Sequence, residues 1–232
     1  PLRNTVQRGM VLLAVLWIVA AFSVVVRGIT RSVREEARML SLTRQSVEFS
    51  ALGDAAIQLA LQEMASLPAP VGRLIQIETV YQGVAIPVEV MPLNGLIDIN
   101  AASMPLLSRL YSVAGGISEN AAEALAQATI EARQRQDARG TLVRFEAIED
   151  LLQVPGVNYT LYARLSGLIT ADLRGAGKVN PLAAPLDVLT VLAGGNLVLA
   201  SKIAADRQAG LQGIDTTVLD TTLIDSSTVR RF

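Results

Sequence analysis

The sequence predicts an α+β fold: one long N-terminal helix packed on a small antiparallel sheet, with a large helical insert. Three observations predict it. An uncharged apolar run from Met10 to Val26 passes without a break into an amphipathic stripe that ends near Pro68. Two β-rich runs follow, joined by Gln82-Gly83. Beyond Asn94 the chain turns to alanine- and leucine-rich segments punctuated by Gly-Gly and Pro-Gly pairs.

The apolar run reads MVLLAVLWIVAAFSVVV, includes Ala14 and the only tryptophan, Trp17, and is closed by Arg27. As a helix it is roughly 26 Å long, the short end of what crosses a bilayer core. A soluble core helix would need a polar face, and this segment offers only Ser23, so a membrane helix is expected. The small residue Gly9 stands before the run, with Arg8 just upstream. An ordinary secretory signal carries its small-residue site after the run. Val19-Ala20-Ala21 is a weak site of that ordinary kind and keeps that alternative open.

Past Arg27, apolar residues recur at Ile29, Val33, Ala37, Leu40, Val47, Ala51, Ala55 and Leu59, mostly in steps of three and four. That spacing makes one stripe of an amphipathic helix. Pro68 and Pro70 end it. The distal part of the stripe is expected under the protein's own sheet, and the proximal part is free to meet other helices.

Gln7-Arg8-Gly9 followed by MVLLAVLW resembles the leader and helix of the type IV pilin superfamily. More narrowly, it resembles the K-type minor pseudopilins of the type II secretion system. The resemblance implies cleavage by a prepilin peptidase between Gly9 and Met10 and methylation of the new N-terminus. Most pilins carry a glutamate at the fifth mature position; here that position is Ala14, and K-type pseudopilins are similar in lacking it. A carboxylate inside a membrane is costly unless paired, and in ordinary pilins it is thought to pair with a neighbouring subunit's N-terminal amine. A subunit at the tip has no such neighbour above it, so Ala14 fits a tip position.

The bulk numbers bound the rest. The chain of 232 residues is long enough for one or two domains with their own cores. A net charge of −1 calls for no nucleic-acid partner. Having no cysteine removes disulfides and thiolate metal sites, and having no histidine removes the commonest general base. A serine nucleophile would then need lysine as its base, and neither Lys178 nor Lys202 stands in a Ser-x-x-Lys pattern. No enzyme is expected. Arg27, Arg31, Arg34 and Arg38 beyond the apolar run outnumber Arg3 and Arg8 before it, which by the positive-inside rule would put the large domain in the cytoplasm. The resemblance, with Gly9 where the pilin pattern places it, implies the opposite orientation. Pro1 and the strand-like Val229-Arg230-Arg231-Phe232 are expected to be trimmed ends.

The expected organisation is therefore a leader over residues 1–9, the membrane and amphipathic helix over 10–67, and the first part of the sheet over 71–94. A helical insert over 95–167 follows, then a return strand with a second helical module over 168–232. In the sheet, Leu74 to Tyr81 and Val84 to Val90 form a hairpin about Gln82-Gly83, with Pro87 marking an edge or a bulge. In the insert, helices are expected at Pro105–Leu110, from Glu119 to about Gln136 with Ser118 as cap, at Phe145–Leu152 and at Leu161–Leu168. Leu168 to Leu173 read as a return to strand.

An internal repeat runs through this region. Asn100, Ala101, Ala102, Leu107, Leu110 and Ala114-Gly115-Gly116 are echoed, with gaps, by Asn180, Ala183, Ala184, Leu189, Leu192 and Ala193-Gly194-Gly195. The copies end Ala132-Arg133-Gln134 and Asp206-Arg207-Gln208. These elements, with Val154-Pro155-Gly156-Val157, resemble helix-hairpin-helix modules, and K-type pseudopilins carry a similar helical domain. Such modules often bind the DNA backbone through hairpin amides flanked by cations. Here no cation adjoins either Gly-Gly pair in sequence: the nearest downstream charges are Glu119 and Lys202. A packing role is favoured, and a membrane-tethered competence DNA receptor is the alternative.

Asp98 with Asn100, and Glu146 with Glu149-Asp150, have the chemistry to bind calcium, but capping and solvation account for them more simply. K-type pseudopilins carry a calcium segment rich in tryptophan and aspartate. The equivalent stretch here, Glu131 to Gly140, lacks the tryptophan and most of the acids. No metal or other cofactor is assigned. The resemblance implies a non-enzymatic minor pseudopilin, with one pass through the bacterial inner membrane and its large domain in the periplasm. It would cap the pseudopilus tip, initiate assembly and aid export of folded proteins. The implied partners are the I, J and H types of minor pseudopilin, the major pseudopilin and the prepilin peptidase, with no nucleic acid. The site residues on this reading are Gly9 and Met10 at the cut, Met10, Ala14, Trp17 and Val26 in the membrane, and Ile29, Val33, Ala37, Leu40, Val47 and Ala51 in helix packing.

Overall fold

A computed structural model describes residues 15–21, 44–136, 139–172, 174–175, 177–209, 216 and 218–225. The fold is α+β. Its described residues fall into two compact units: the helix up to Leu61 with Thr79–Ile86, and Gln62–Glu78 with the chain from Pro87 onward.

Residues 15–21 are helical, and residues 44–66 form helix α1. An exposed pair of neighbours one turn apart, Arg44 and Glu48, lies at its start with Nε to Oε1 at 2.9 Å. The buried line along α1 is Ala56 and Ala60, flanked by half-buried Leu52, Leu59 and Met64. Ala55 is half-buried, while Ala51 and Val47 are exposed. No helix among the described residues is long and apolar enough to cross a membrane, and most of the Met10–Val26 run lies outside them.

The hairpin pairs β1 (Ile75–Tyr81) with β2 (Val84–Val90) in a two-stranded sheet. Its turn is Gln82-Gly83, with φ of 50° and 79°. Positive φ at both central residues is the backbone a right-twisted two-residue hairpin requires. Ile77 and Thr79, two apart on β1, are buried, and the Thr79 hydroxyl donates to the carbonyl of Ile86 at 3.0 Å.

Within the second unit, β3 (Ile97–Asp98) pairs in parallel with β4 (Ile169–Thr170). The strand expected over Leu168–Leu173 is thus reduced to two paired residues, and its partner was not expected from the sequence. Between them come α2 (Met104–Arg109), a π-helical turn (Leu110–Ala114), α3 (Glu119–Arg133), a 3₁₀ turn (Ile148–Gln153) and α4 (Tyr159–Leu165). After β4 come α5 (Leu186–Leu192) and α6 (Leu197–Gln208). Leu223 and Asp225 then bracket Val179: its N–H donates to the Leu223 carbonyl at 3.0 Å, and it accepts from Asp225 at 2.8 Å.

One core serves this unit, with Ile97, Leu107, Leu110, Tyr111, Leu165, Leu189 and Leu192 at its centre. Two expectations are corrected here. Phe145 to Ala147 are not helical, because Asn100 takes both backbone polar groups of Phe145: Nδ2 donates to its carbonyl and Oδ1 accepts from its N–H, both at 2.9 Å. Helical structure starts only after Ala147, as a 3₁₀ turn. Ser118 is the N-cap of α3, yet its side chain makes no capping hydrogen bond.

Candidate functional site

The sequence repeat is a structural repeat. Each copy is a short helix, a glycine-pair hairpin and a longer alanine-rich helix: α2 to α3, and α5 to α6. The gap that the alignment needed is the π turn. In the first copy three extra residues separate the last repeated core leucine from the second glycine, Leu110 to Gly116 against Leu192 to Gly195. They are absorbed where Gly115 N–H reaches back five residues to the Leu110 carbonyl at 3.1 Å. That turn also buries Tyr111, whose hydroxyl lies 2.7 Å from Thr129 Oγ1. Thr129 spends its single proton on the Leu125 carbonyl at 2.8 Å, so Tyr111 is the donor of the pair. Burial pushes the Tyr111 phenol up to about 12.

The arginine near the end of each long helix closes its own module. Arg133 Nη1 donates to the Ile99 carbonyl at 3.0 Å. Arg207 Nη1 donates to the carbonyls of Ala184 at 2.6 Å and Leu182 at 3.3 Å. All three carbonyls precede the first helix of their module, so each guanidinium ties the last turn of the long helix to the segment that enters the module. Arg109 joins the two copies, donating to the last carbonyl of α5, Leu192, at 3.3 Å and pairing with Asp220 Oδ2 at 3.5 Å.

The hairpins present no row of free amides. Gly115, Gly116 and Ile117 donate to the carbonyls of Leu110, Ser112 and Tyr111, and Gly194, Gly195 and Asn196 donate to those of Val191, Thr190 and Ala193. A phosphate would have to break these bonds to be bound by backbone. The sequence reading placed no cation beside the first hairpin; the fold does. Arg164, on α4, donates from Nη1 to the Gly115 carbonyl at 2.9 Å. No sequence signal links positions forty-nine apart, which is why it was missed.

Of the carboxylates weighed for calcium, Asp150 is a cap. Its Oδ2 accepts from the N–H groups of Glu146 and Ala147 at 2.8 and 3.1 Å. Asp98 Oδ1 accepts from Asn100 N–H at 2.9 Å, and its buried Oδ2 meets no donor in hydrogen-bond geometry. Burial raises the Asp98 pKa, the Asn100 amide opposes this, the Asp172 charge adds to the rise and Arg133 opposes it. Among the described residues no three carboxylates are grouped as a metal site would need.

Of the residues expected to act at the membrane and in the helix stripe, Gly9, Met10, Ala14, Val26, Ile29, Val33, Ala37 and Leu40 lie outside the described residues. Trp17 is helical and 75% exposed, Val47 is 63% exposed and Ala51 is exposed. Phe49, Ile57 and Leu61 are further large apolar side chains open on α1.

No family model matches the sequence, and no curated protein matches it. Among solved structures, the chain is similar to a chain in the crystal structure of the GspK-GspI-GspJ complex from the enterotoxigenic Escherichia coli Type 2 Secretion System. The two are 16% identical, the match covers 79% of this chain and 81% of that chain, and the TM-score is 0.43.

Proposed function

We propose that this protein is a non-enzymatic minor pseudopilin of the K type. It is processed between Gly9 and Met10, held in the inner membrane by Met10 to Val26, and placed at the tip of a type II secretion pseudopilus. There it initiates assembly and aids export of folded proteins, with its helical domain in the periplasm and other minor pseudopilins beneath it. The observation that carries this reading is Gln7-Arg8-Gly9 set directly before MVLLAVLW, with Ala14 at the fifth position after the cut.

The order of elements supports it: a long helix, then a β-hairpin, then a run of short helices. The rival reading, a tethered DNA receptor, needs hairpin amides and cations facing solvent. The amides at both Gly-Gly hairpins are bonded within the chain, and Arg109, Arg133 and Arg207 are turned onto backbone carbonyls. That arrangement supports packing.

Ala14→Glu tests the tip position. At the tip the new carboxylate has no amine to pair with, so co-purification with the other minor pseudopilins and secretion by the intact system should not improve, and should fall modestly. Long filaments built from the Ala14→Glu chain throughout would make it a shaft subunit instead.

A further inference from the structure

A groove of about 440 Å³ opens between the first glycine hairpin and the Pro155-Gly156 turn. Ile117, Ala121, Ala124, Leu125 and Leu161 supply its apolar surface, and Arg164 is the one ionisable residue among those lining it. Ala121 and Ala124 are exposed on α3, so a chain laid in the groove can bring its backbone close to the helix. Tyr159 stands between two lining residues, Asn158 and Thr160, and is 77% exposed. It is held edge-on to Tyr162 with ring centroids 6.4 Å apart. An open, braced aromatic beside an apolar cleft is the kind of anchor that dominates protein interfaces.

Charge narrows the occupant. Arg164 is fixed by one donor, Nη1, on the Gly115 carbonyl, while a guanidinium has five N–H groups in a planar fork. The remaining donors suit a carboxylate, and no acidic residue lines the groove to supply one. A free anion would leave the apolar surface unused. A nucleic-acid backbone needs several cations in a row, and here there is one.

We propose that this groove binds an extended segment of a partner protein in which an apolar side chain sits next to an aspartate or glutamate. The apolar side chain packs over Leu125 and Leu161 and the carboxylate pairs with Arg164. This does not depend on the pseudopilin reading.

The test uses the full chain in detergent and a displayed library of random short peptides. Selection runs in parallel on the wild type and on Ala124→Trp, whose indole fills the groove from an exposed position. The expected result is enrichment on the wild type alone of peptides carrying an acid beside a leucine, isoleucine, valine or phenylalanine. A synthetic peptide of that consensus should bind Arg164→Gln at least about tenfold more weakly by fluorescence anisotropy, with Arg164→Lys between the two. Ala124→Glu, which places a carboxylate in the groove, should compete in the same way and guards against a folding defect in Arg164→Gln. Enrichment that survives Ala124→Trp, peptides without an acid, or no enrichment would overturn the proposal. So would duplex DNA that binds the wild type and not Ala124→Trp, which would assign the groove to nucleic acid.

Discussion

The guanidinium of Arg133 donates to the carbonyl oxygen of Ile99 across 3.0 Å, joining the end of α3 to the turn that follows β3 and leads into its own module. Arg207 repeats the arrangement on Ala184 and Leu182. Two modules with little sequence in common thus share a closing device, and the shared device accounts for the Ala-Arg-Gln and Asp-Arg-Gln echoes.

Removing either arginine leaves carbonyls without a charged donor, at a cost of about 1–3 kcal/mol each. Arg133→Met and Arg207→Met should both lower the urea midpoint of the full chain in detergent. Arg207→Met should lower it more, since two carbonyls are left against one. Equal midpoints for wild type and both variants would mean the guanidinium contacts are incidental.

Tyr111 and Thr129 predict an asymmetry. Tyr111→Phe removes the donor and lets Thr129 keep its bond to Leu125, so the cost should be near 1 kcal/mol or less. Thr129→Val strands a buried phenol proton and should cost about 1–3 kcal/mol. Chemical denaturation of the two variants side by side decides it; Tyr111→Phe as the worse of the two would reverse the donor assignment.

Two glycines should respond in opposite directions to alanine. Gly95 is buried, and a Cβ there would run into the carbonyl of Ala183, so Gly95→Ala should destabilise by about 1–3 kcal/mol as an overpacked site does. Gly53 lies within α1 with nothing near its would-be Cβ. Gly53→Ala should stabilise by about 0.5–1 kcal/mol through helix propensity alone. Thermal melts of both variants check the pair.

Asp98 sets a pH dependence. Its folded pKa lies above its ordinary value, first because of burial, so the folded state holds the proton more tightly than the unfolded chain does. Its stabilising contribution is therefore full below the unfolded pKa and is lost as pH rises through the folded one. Measured against Asp98→Asn, wild-type stability should improve as pH falls from about 7 toward about 4. A wild type that loses ground to Asp98→Asn over that range would mean the carboxylate is better solvated by donors than its geometry indicates.

Much of this architecture was legible in the chain because local chemistry dictated it. Gln82-Gly83 between two β-rich runs gave the hairpin, and Pro105 and the glycine pairs gave the edges of α2 and the two hairpins. What stayed hidden depends on contacts distant in sequence. The β3–β4 ladder is two residues long, too short for any alternation to register. The helix expected from Phe145 fails because Asn100, forty-five residues earlier, takes both backbone groups of Phe145. Arg164 reads as an ordinary exposed helix residue until the fold lays it over Gly115.

The mass of the mature protein's N-terminal peptide, from native membranes that contain the prepilin peptidase, tests the central claim most directly. The account predicts a chain beginning at Met10 and heavier by one methyl group, and Gly9→Val should abolish that species because the peptidase must close on a residue with almost no side chain. A mature chain beginning at Phe22, after Val19-Ala20-Ala21, would show an ordinary secretory signal and contradict it.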